Sequence, residues 1–112
     1  MAWFRRKSRR EQGGSPGDRP ANRADLQHLE EFARTRRGVE AFIEPRTTVT
    51  ETTLLLIAHD GEWTRRRIEG PEAARRFAHR LAMPIYDVAL VGYPQRMRDY
   101  NERRKRAGQG QG

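Results

Sequence analysis

Apolar residues in the segment LQHLEEFARTRR recur at the spacing of an α-helix. Leu26, Leu29, Phe32 and Ala33 form one stripe, which is typical of a helix that packs on a core. Two arginines near its end suit the helix dipole, and Gly38 is a natural stop. The pattern predicts a helix that begins near Asn22 or Asp25 and ends before Gly38.

The next segments have the two-residue period of β-strands. VEAFIEP alternates in polarity, and TTVTETTLLLIAH becomes continuously apolar from Leu54, as in a central strand that is covered on both faces. Asp60-Gly61 is a signal for a two-residue hairpin turn, and EWTRRRI is the returning strand. This turn would pair His59 with Glu62 and would place Trp63, Arg65 and Arg67 on one face of the sheet.

The remaining apolar positions predict a second helix in PEAARRFAHRLA, with Pro71 in its first turn, a short strand in IYDVALV, and a frayed basic helix in QRMRDYNERRKR. These elements predict an α+β fold. We expect a small two-layer domain in which two helices pack on a three- to four-stranded, mainly antiparallel sheet, with a disordered basic N-terminal tail and a basic C-terminal helix.

A chain of 112 residues has room for one such domain. We predict that residues 1–22 are a disordered basic tail, because GGSPGDRP and few apolar residues after Phe4 cannot offset the entropy of ordering. Residues 23–94 are predicted to be a single α+β domain. Residues 95–112 are predicted to be a basic helix and a flexible tail.

The net charge of +8 is concentrated at the two ends of the chain. Residues 1–23 contain seven basic and two acidic residues, and residues 95–112 contain six and two, whereas residues 24–94 contain ten and eleven. Basic ends on a nearly neutral centre favour contact with a polyanion. All basic residues except Lys7 and Lys105 are arginine. Guanidinium groups suit phosphate, but a bias that extends through the whole chain also fits a GC-rich genome.

Several functional classes are disfavoured by what the sequence lacks. It has no cysteine, which excludes disulfides, thiolate metal sites and cysteine nucleophiles. His28, His59 and His79 show no metal-ligand spacing, and no cofactor-binding motif is present. The apolar run of residues 54–58 is too short to cross a bilayer, and the charged N-terminus is unlike a signal peptide. We therefore expect a cytoplasmic protein with no metal, no cofactor and no transmembrane segment.

The candidate polyanion-binding residues are the basic residues of the two ends, together with the aromatic and basic residues of the third strand. They are Arg5, Arg6, Lys7, Arg9, Arg10, Trp63, Arg65, Arg67, Arg96, Arg98, Arg103, Arg104, Lys105 and Arg106. For the third strand the alternative is structural, since charged side chains protect an edge strand from aggregation. At the N-terminus, Trp3 and Phe4 beside the basic run also fit an anionic membrane surface.

The stretch from RRGVEAFIEPRTTVTETTLLLIAHDGEWTRRRI to MPIYDVALVGYPQRMRDYNERR resembles a family of small actinobacterial proteins over about residues 36–104. DGEWTRRR and GYPQRMRDY carry most of the resemblance, which implies a bacterial protein and carries over no catalytic residues. The helix–three strands–helix order also resembles a double-stranded RNA-binding domain. In that family the second helix begins with basic groups, whereas here the first charged residue of the segment GPEAARR is Glu72. The resemblance is therefore one of topology.

We therefore expect a non-enzymatic accessory protein whose basic ends contact nucleic acid, including ribosomal RNA. The alternatives are a peripheral membrane-surface protein and a protein-docking module. A further alternative is an enzyme of unknown reaction in which His59, Arg65 and Arg67 receive an anionic substrate. No residue is assigned a catalytic role, because no serine or cysteine nucleophile lies near His59 in the sequence.

Overall fold

The computed structural model describes residues 23–111, and side chains as far as residue 108. The elements are α1 (Arg23–Thr35), β1 (Glu40–Glu44), β2 (Thr53–Ile57), β3 (Trp63–Arg67), α2 (Pro71–Arg80), β4 (Ile85–Asp87), α3 (Val88–Val91) and α4 (Gln95–Gln111). They confirm the small α+β domain. The tail predicted for residues 1–22 lies outside the described residues.

The four strands form one sheet in the order β3-β2-β1-β4. β2 pairs antiparallel with both β1 and β3, and β4 pairs in parallel with β1. The sheet is therefore mainly antiparallel, as predicted, and β2 is an inner strand. The parallel strand follows from the connection through α2, which brings the chain back so that the Ala41 N–H donates to the Pro84 carbonyl at 2.9 Å.

The first face of the sheet is covered by α1 and α2. Leu29 and Phe32 of α1, and Ala74, Phe77 and Ala78 of α2, pack against Ala41, Ile43, Leu54 and Leu56 of the sheet. These side chains are all at most 4% exposed. Burial of each large apolar side chain contributes about 1.5–3 kcal/mol, so this face supplies most of the core. The apolar stripe read from the sequence of α1 is confirmed here.

The second face is covered by α4. Phe42, Leu55 and Ile57 form a smaller cluster with Met97, and Trp63 packs at its side. Met97 lies in the first turn of α4 and is 7% exposed. The segment predicted as a frayed basic helix thus has an anchored first half, because its one methionine fills the space above β1 and β2.

The β2–β3 hairpin differs by one residue from the predicted register. Ile57 pairs with Trp63, because the loop contains three residues, 59–61, rather than two. The Gly61 N–H donates to the Ala58 carbonyl at 2.9 Å, and Gly61 has a φ of 95°. This arrangement is a tight turn followed by a left-handed glycine, the usual form of a three-residue hairpin loop.

The new register changes the partners of the turn residues. The predicted pairing of His59 with Glu62 is wrong: Glu62 forms a salt bridge with Arg36 at 2.8 Å, and the His59 backbone N–H donates to the Arg37 carbonyl at 2.9 Å. Side chains along a strand still alternate, so Trp63 and Arg65 share one face, as expected.

The segment IYDVALV, predicted as one strand, divides into β4 and α3. The Asp87 carboxylate accepts a hydrogen bond from the Ala89 N–H at 2.8 Å and caps the short helix. An aspartate in this position satisfies a free N–H group at a helix start, and this local bond competes successfully with continuation of the strand.

The helix α4 extends beyond the segment QRMRDYNERRKR, in which the basic helix was predicted. It continues to Gln111, through the segment AGQGQG. Each glycine costs the helix about 1 kcal/mol relative to alanine, but the segment contains no proline that would remove a backbone donor and stop the helix.

Gly61 in the hairpin loop packs closely against α4, and a substitution at this position tests that packing. A Cβ atom at this position would overlap the Arg96 carbonyl oxygen and would lie 2.8 Å from the Tyr100 Cβ atom. We expect Gly61→Ala to lower the free energy of unfolding by about 2–4 kcal/mol, from the positive φ and the overlap together, as measured by denaturant titration. The matched control is Gly108→Ala, where a Cβ atom meets nothing within 4 Å. Equal stability of the two variants would contradict the packing.

Candidate polyanion-binding surface

The first half of α4 is held on the sheet by side-chain hydrogen bonds as well as by Met97. The Arg96 guanidinium donates to the Ala58 carbonyl at 3.0 Å and to the Glu40 carboxylate at 2.6 Å. The Trp63 indole N–H donates to the Asn101 side-chain oxygen at 2.7 Å. The two bonds of Arg96, which are partly buried and involve a charged group, contribute about 1.5–3 kcal/mol each. They fix the direction in which α4 leaves the domain.

Beyond these contacts α4 carries four consecutive cations, which we call the basic segment: Arg103, Arg104, Lys105 and Arg106. Every residue from 101 to 108 is exposed. The structure thus presents these four side chains on an exposed part of α4.

The contacts of the basic segment leave its charge largely uncompensated. Arg103 donates to the Asp60 carbonyl at 2.9 Å, and Arg104 donates to the Tyr100 hydroxyl at 3.2 Å. Both acceptors are neutral, so they orient the guanidinium groups without cancelling their charge. Within the described part of the chain one carboxylate pairs with the segment, that of Glu102, 3.7 Å from Arg106. Two highly exposed partners at this distance contribute little.

Arg37 is a further exposed cation near the hairpin turn, and it is not among the residues predicted from the sequence. Its carbonyl accepts the bond from His59, one residue before the Asp60 carbonyl that holds Arg103. The Arg37 backbone therefore contacts the turn on which α4 rests, and the Arg37 side chain is exposed. The available signal was the pair Arg36-Arg37 before Gly38, but only the folded structure places these residues beside the hairpin turn.

The candidates on the third strand lie beside a network of hydrogen bonds around Glu44 rather than on an open surface. Arg65 stacks on the Trp63 ring, with its guanidinium carbon 5.1 Å from the ring centroid. It also donates two hydrogen bonds of 2.7 Å to the Glu44 carboxylate. Glu44 accepts further bonds from the Thr53 hydroxyl at 2.6 Å and the Tyr93 hydroxyl at 2.5 Å. A guanidinium held by two parallel bonds is strongly oriented, so Arg65 has a structural partner.

The network around Glu44 perturbs two pKa values. Burial disfavours the charged form of Glu44, but the hydrogen bonds from Arg65, Thr53 and Tyr93 together outweigh burial and hold the pKa of Glu44 below its ordinary value. The hydrogen bond to Glu44, followed by burial, raises the pKa of the Tyr93 phenol. The fold therefore favours an ionised Glu44 beside a neutral Tyr93 hydroxyl.

The other predicted site residues fall into three groups. Arg98 is exposed and donates to the Tyr93 carbonyl at 3.0 Å. Arg67 lies at the end of β3, opposite Thr53. The N-terminal candidates lie outside the described residues, and they are Arg5, Arg6, Lys7, Arg9 and Arg10 for a polyanion and Trp3 and Phe4 for a membrane. Of the predicted set, the structure brings together the basic segment and separates Arg65, Arg67 and Arg96 from it.

The enzyme hypothesis named three residues that do not converge. His59 lies in the exposed loop at one end of the hairpin, whereas Arg65 and Arg67 pair with Leu55 and Thr53 toward the other end. Among residues 23–111, no group of three histidine or carboxylate side chains is placed to hold a metal ion. No helix in this range is long and apolar enough to span a bilayer.

A second exposed feature lies at the opposite end of the sheet from the hairpin turn. Leu90 is 84% exposed and Val91 is 58% exposed on α3, and the β1–β2 loop next to α3 exposes Val49 at its tip. Neighbouring apolar side chains in open solvent often mark a contact surface. We call Val49, Leu90 and Val91 the apolar end.

Comparison of the chain with protein-family models, with curated proteins and with solved structures finds no match.

The Glu44 network predicts a specific dependence of stability on acid. Because the pKa of Glu44 is lower in the folded state than its ordinary value of 4.5, its stabilisation is present above about pH 4.5 and is lost as pH falls through the lowered pKa. We expect Glu44→Gln to unfold at a lower temperature than the unchanged protein at pH 6, and the difference to shrink at about pH 3. Thermal unfolding followed by circular dichroism over this range measures both quantities.

The control for this prediction is Glu51→Gln. It removes a carboxylate from a longer salt bridge, 3.9 Å from the exposed Arg46 side chain, and should change the acid-side profile little. A Glu44→Gln profile that runs parallel to that of the unchanged protein at every pH would show that the network does not depend on the Glu44 charge.

Proposed function

We propose that the protein is a non-enzymatic, cytoplasmic accessory protein that binds nucleic acid, ribosomal RNA included, through its basic C-terminal helix. The observation that supports this proposal is the exposure of the basic segment on a helix, where the four cations have one carboxylate partner, that of Glu102, among the described residues. The near neutrality of residues 24–94 also supports the proposal, because the excess positive charge is then concentrated at the ends of the chain.

The physical basis is the repulsion among four like charges on little more than one turn of helix. A row of phosphates relieves this repulsion and releases the counterions condensed on the nucleic acid, so the binding constant falls steeply with salt. The hydrogen bonds of Arg103 and Arg104 use a minority of the five donors on each guanidinium. The remaining donors are available for phosphate oxygens.

The N-terminal cluster belongs to the same proposal as a second cationic contact. It contributes five basic residues, Arg5, Arg6, Lys7, Arg9 and Arg10. Two separate cationic contacts on one chain increase the overall affinity when both reach the same nucleic acid. Replacement of these five residues by glutamine separates their contribution from that of the basic segment.

The test is a salt titration of binding to labelled nucleic acid, measured by fluorescence polarisation. We expect replacement of all four residues of the basic segment by glutamine to reduce the slope of log K against log salt by about 3–4, since each phosphate contact in a duplex contributes about 0.9. Absence of salt-dependent binding by the unchanged protein would refute the proposed function.

A charge-matched control shows whether binding depends on the basic segment or only on the net charge of the protein. Arg34, Arg46, Arg75 and Arg76 are exposed arginines on α1, on the β1–β2 loop and on α2. Replacement of these four by glutamine removes the same charge and should leave most of the slope intact. Equal losses in the two quadruple variants would mean that the basic segment is not the binding surface.

A second candidate function is docking to a protein, and the exposure of Leu90 and Val91 favours it. The Tyr93 hydroxyl is bonded to Glu44 at one end of β1, whereas Arg96 is bonded to Glu40 at the other. The apolar end and the basic segment therefore lie at opposite ends of the domain. A protein that covers the apolar end would leave the basic segment free to contact nucleic acid.

Photo-crosslinking separates the two contacts in cell lysate. A photoreactive residue in place of Leu90 should yield protein adducts that survive nuclease treatment, whereas one in place of Arg104 should yield adducts that nuclease removes. A photoreactive residue in place of Arg34 on α1 serves as the exposed control. Loss of the Leu90 adducts on nuclease treatment, or equal adducts from Arg34, would contradict docking at the apolar end.

A further inference from the structure

We infer that the basic segment enters the major groove of double-stranded DNA and contacts phosphates on both sides of the groove. This inference rests on the proposed function and adds to it the class of nucleic acid and the mode of contact. It is carried by the angular distribution of the four cations, by the length of helix beyond the domain and by the rigidity of its attachment.

The four cations surround the helix. Successive residues of an α-helix are about 100° apart, so Arg103 and Arg106 lie on one side of α4, and Arg104 and Lys105 lie on the opposite side. A flat polyanion, such as an anionic membrane, contacts one side of a projecting helix and leaves the other pair in solvent. A groove has a row of phosphates on each side of the helix, so both pairs of cations find partners.

The length of the projecting helix fits such an insertion. Arg103 is bonded to Asp60, the last bond from α4 to the rest of the domain within the described residues. The helix continues for eight residues to Gln111, which is about 12 Å at 1.5 Å per residue. The major groove of B-form DNA is about 8.5 Å deep and about 12 Å wide, so the projecting turns are longer than the groove is deep.

The form of the duplex follows from the diameter of the helix. An α-helix with side chains is about 10–12 Å across, close to the width of the major groove of B-form DNA. The major groove of an A-form RNA duplex is deep and narrow, and excludes protein side chains. A helix with cations on all sides therefore matches B-form DNA better than it matches regular double-stranded RNA.

The attachment of α4 reduces the entropy lost on insertion. Met97 is buried against the sheet, and Arg96 and Asn101 are hydrogen-bonded to it. The direction of the projecting turns is thus fixed before binding, and a preorganised element loses less freedom on association than a flexible tail does. The Asp60 carbonyl of the hairpin loop orients Arg103, and the Tyr100 hydroxyl, within α4, orients Arg104.

The first experiment compares two double variants, R103Q/R106Q and R104Q/K105Q, in binding to a labelled DNA duplex of about 20 base pairs. Each double variant removes the two cations on one side of α4, and both variants lower the net charge by the same amount. If both sides face phosphates, each should reduce the salt slope by about 1.8, and the quadruple variant should show the sum. A loss confined to one double variant would overturn insertion and would indicate contact with a flat surface.

The second experiment compares ligands and keeps the two levels of the proposal separate. The unchanged protein is titrated with duplex DNA, duplex RNA and single-stranded DNA of matched sequence, and with vesicles that contain phosphatidylserine. Tighter binding to duplex DNA supports insertion. Equal or tighter binding to duplex RNA, to single strands or to vesicles overturns it. Salt-dependent binding to RNA alone leaves the proposed function intact, whereas no binding to any nucleic acid refutes both.

Protection of guanine N7 from methylation by dimethyl sulfate gives a direct view of the groove, since N7 lies on its floor. Bound protein should protect guanines over a few base pairs, and the quadruple variant should not. Unprotected guanines at saturating protein would show that the helix stays on the phosphate backbone outside the groove.

Discussion

The structure depends on the burial of β2 on both of its faces. Residues 54–58 are each at most 1% exposed, and they alternate between the cluster under α1 and α2 and the cluster under α4. No strand can bury every side chain unless both faces of the sheet are covered. The basic C-terminal helix is therefore required by the core, and its position on the surface follows from the need to cover Leu55 and Ile57 as much as from its charge.

This requirement explains which parts of the fold were predictable. The run LLLIA shows that β2 is buried on both sides, and the helical stripes of α1 and α2 identify the cover of one face. The cover of the other face was harder to find, because α4 contributes a single large apolar residue, Met97, to it. One methionine among arginines gives no helical stripe, so the sequence predicts a basic helix without predicting where it packs.

The hairpin register has a similar explanation. Asp60-Gly61 is compatible with a two-residue loop and with a three-residue loop, and the apolar pattern of β3 does not choose between them, because Thr64, Arg65, Arg66 and Arg67 are all polar. The length of the loop is determined by its tertiary contacts with α4. Gly61 lies under the Arg96 carbonyl and Tyr100, so the loop with glycine at the left-handed position is the one that lets α4 reach the sheet.

Some of the predicted arginines are paired with carboxylates and others are not. The pairing depends on contacts between strands, which the local sequence does not show. Arg65 and Arg96 are neighbours of other arginines in the chain, yet each meets a carboxylate from β1, Glu44 or Glu40, across the sheet. The two glutamates lie at the two ends of that strand. A run of arginines therefore predicts positive charge correctly, but the pairing of strands decides which guanidinium groups are compensated inside the fold and which remain for a ligand.

The same strand sets the separation of the two exposed features. Glu44 anchors Tyr93 next to α3, and Glu40 anchors Arg96 at the start of the helix that ends in the basic segment. Five residues of extended strand place these anchors about 13 Å apart, and α4 then carries its cations farther away. The apolar end and the basic segment are consequently separate surfaces. Because β1 is an inner strand, buried at Ala41, Phe42 and Ile43, this spacing is set by the packing of the core.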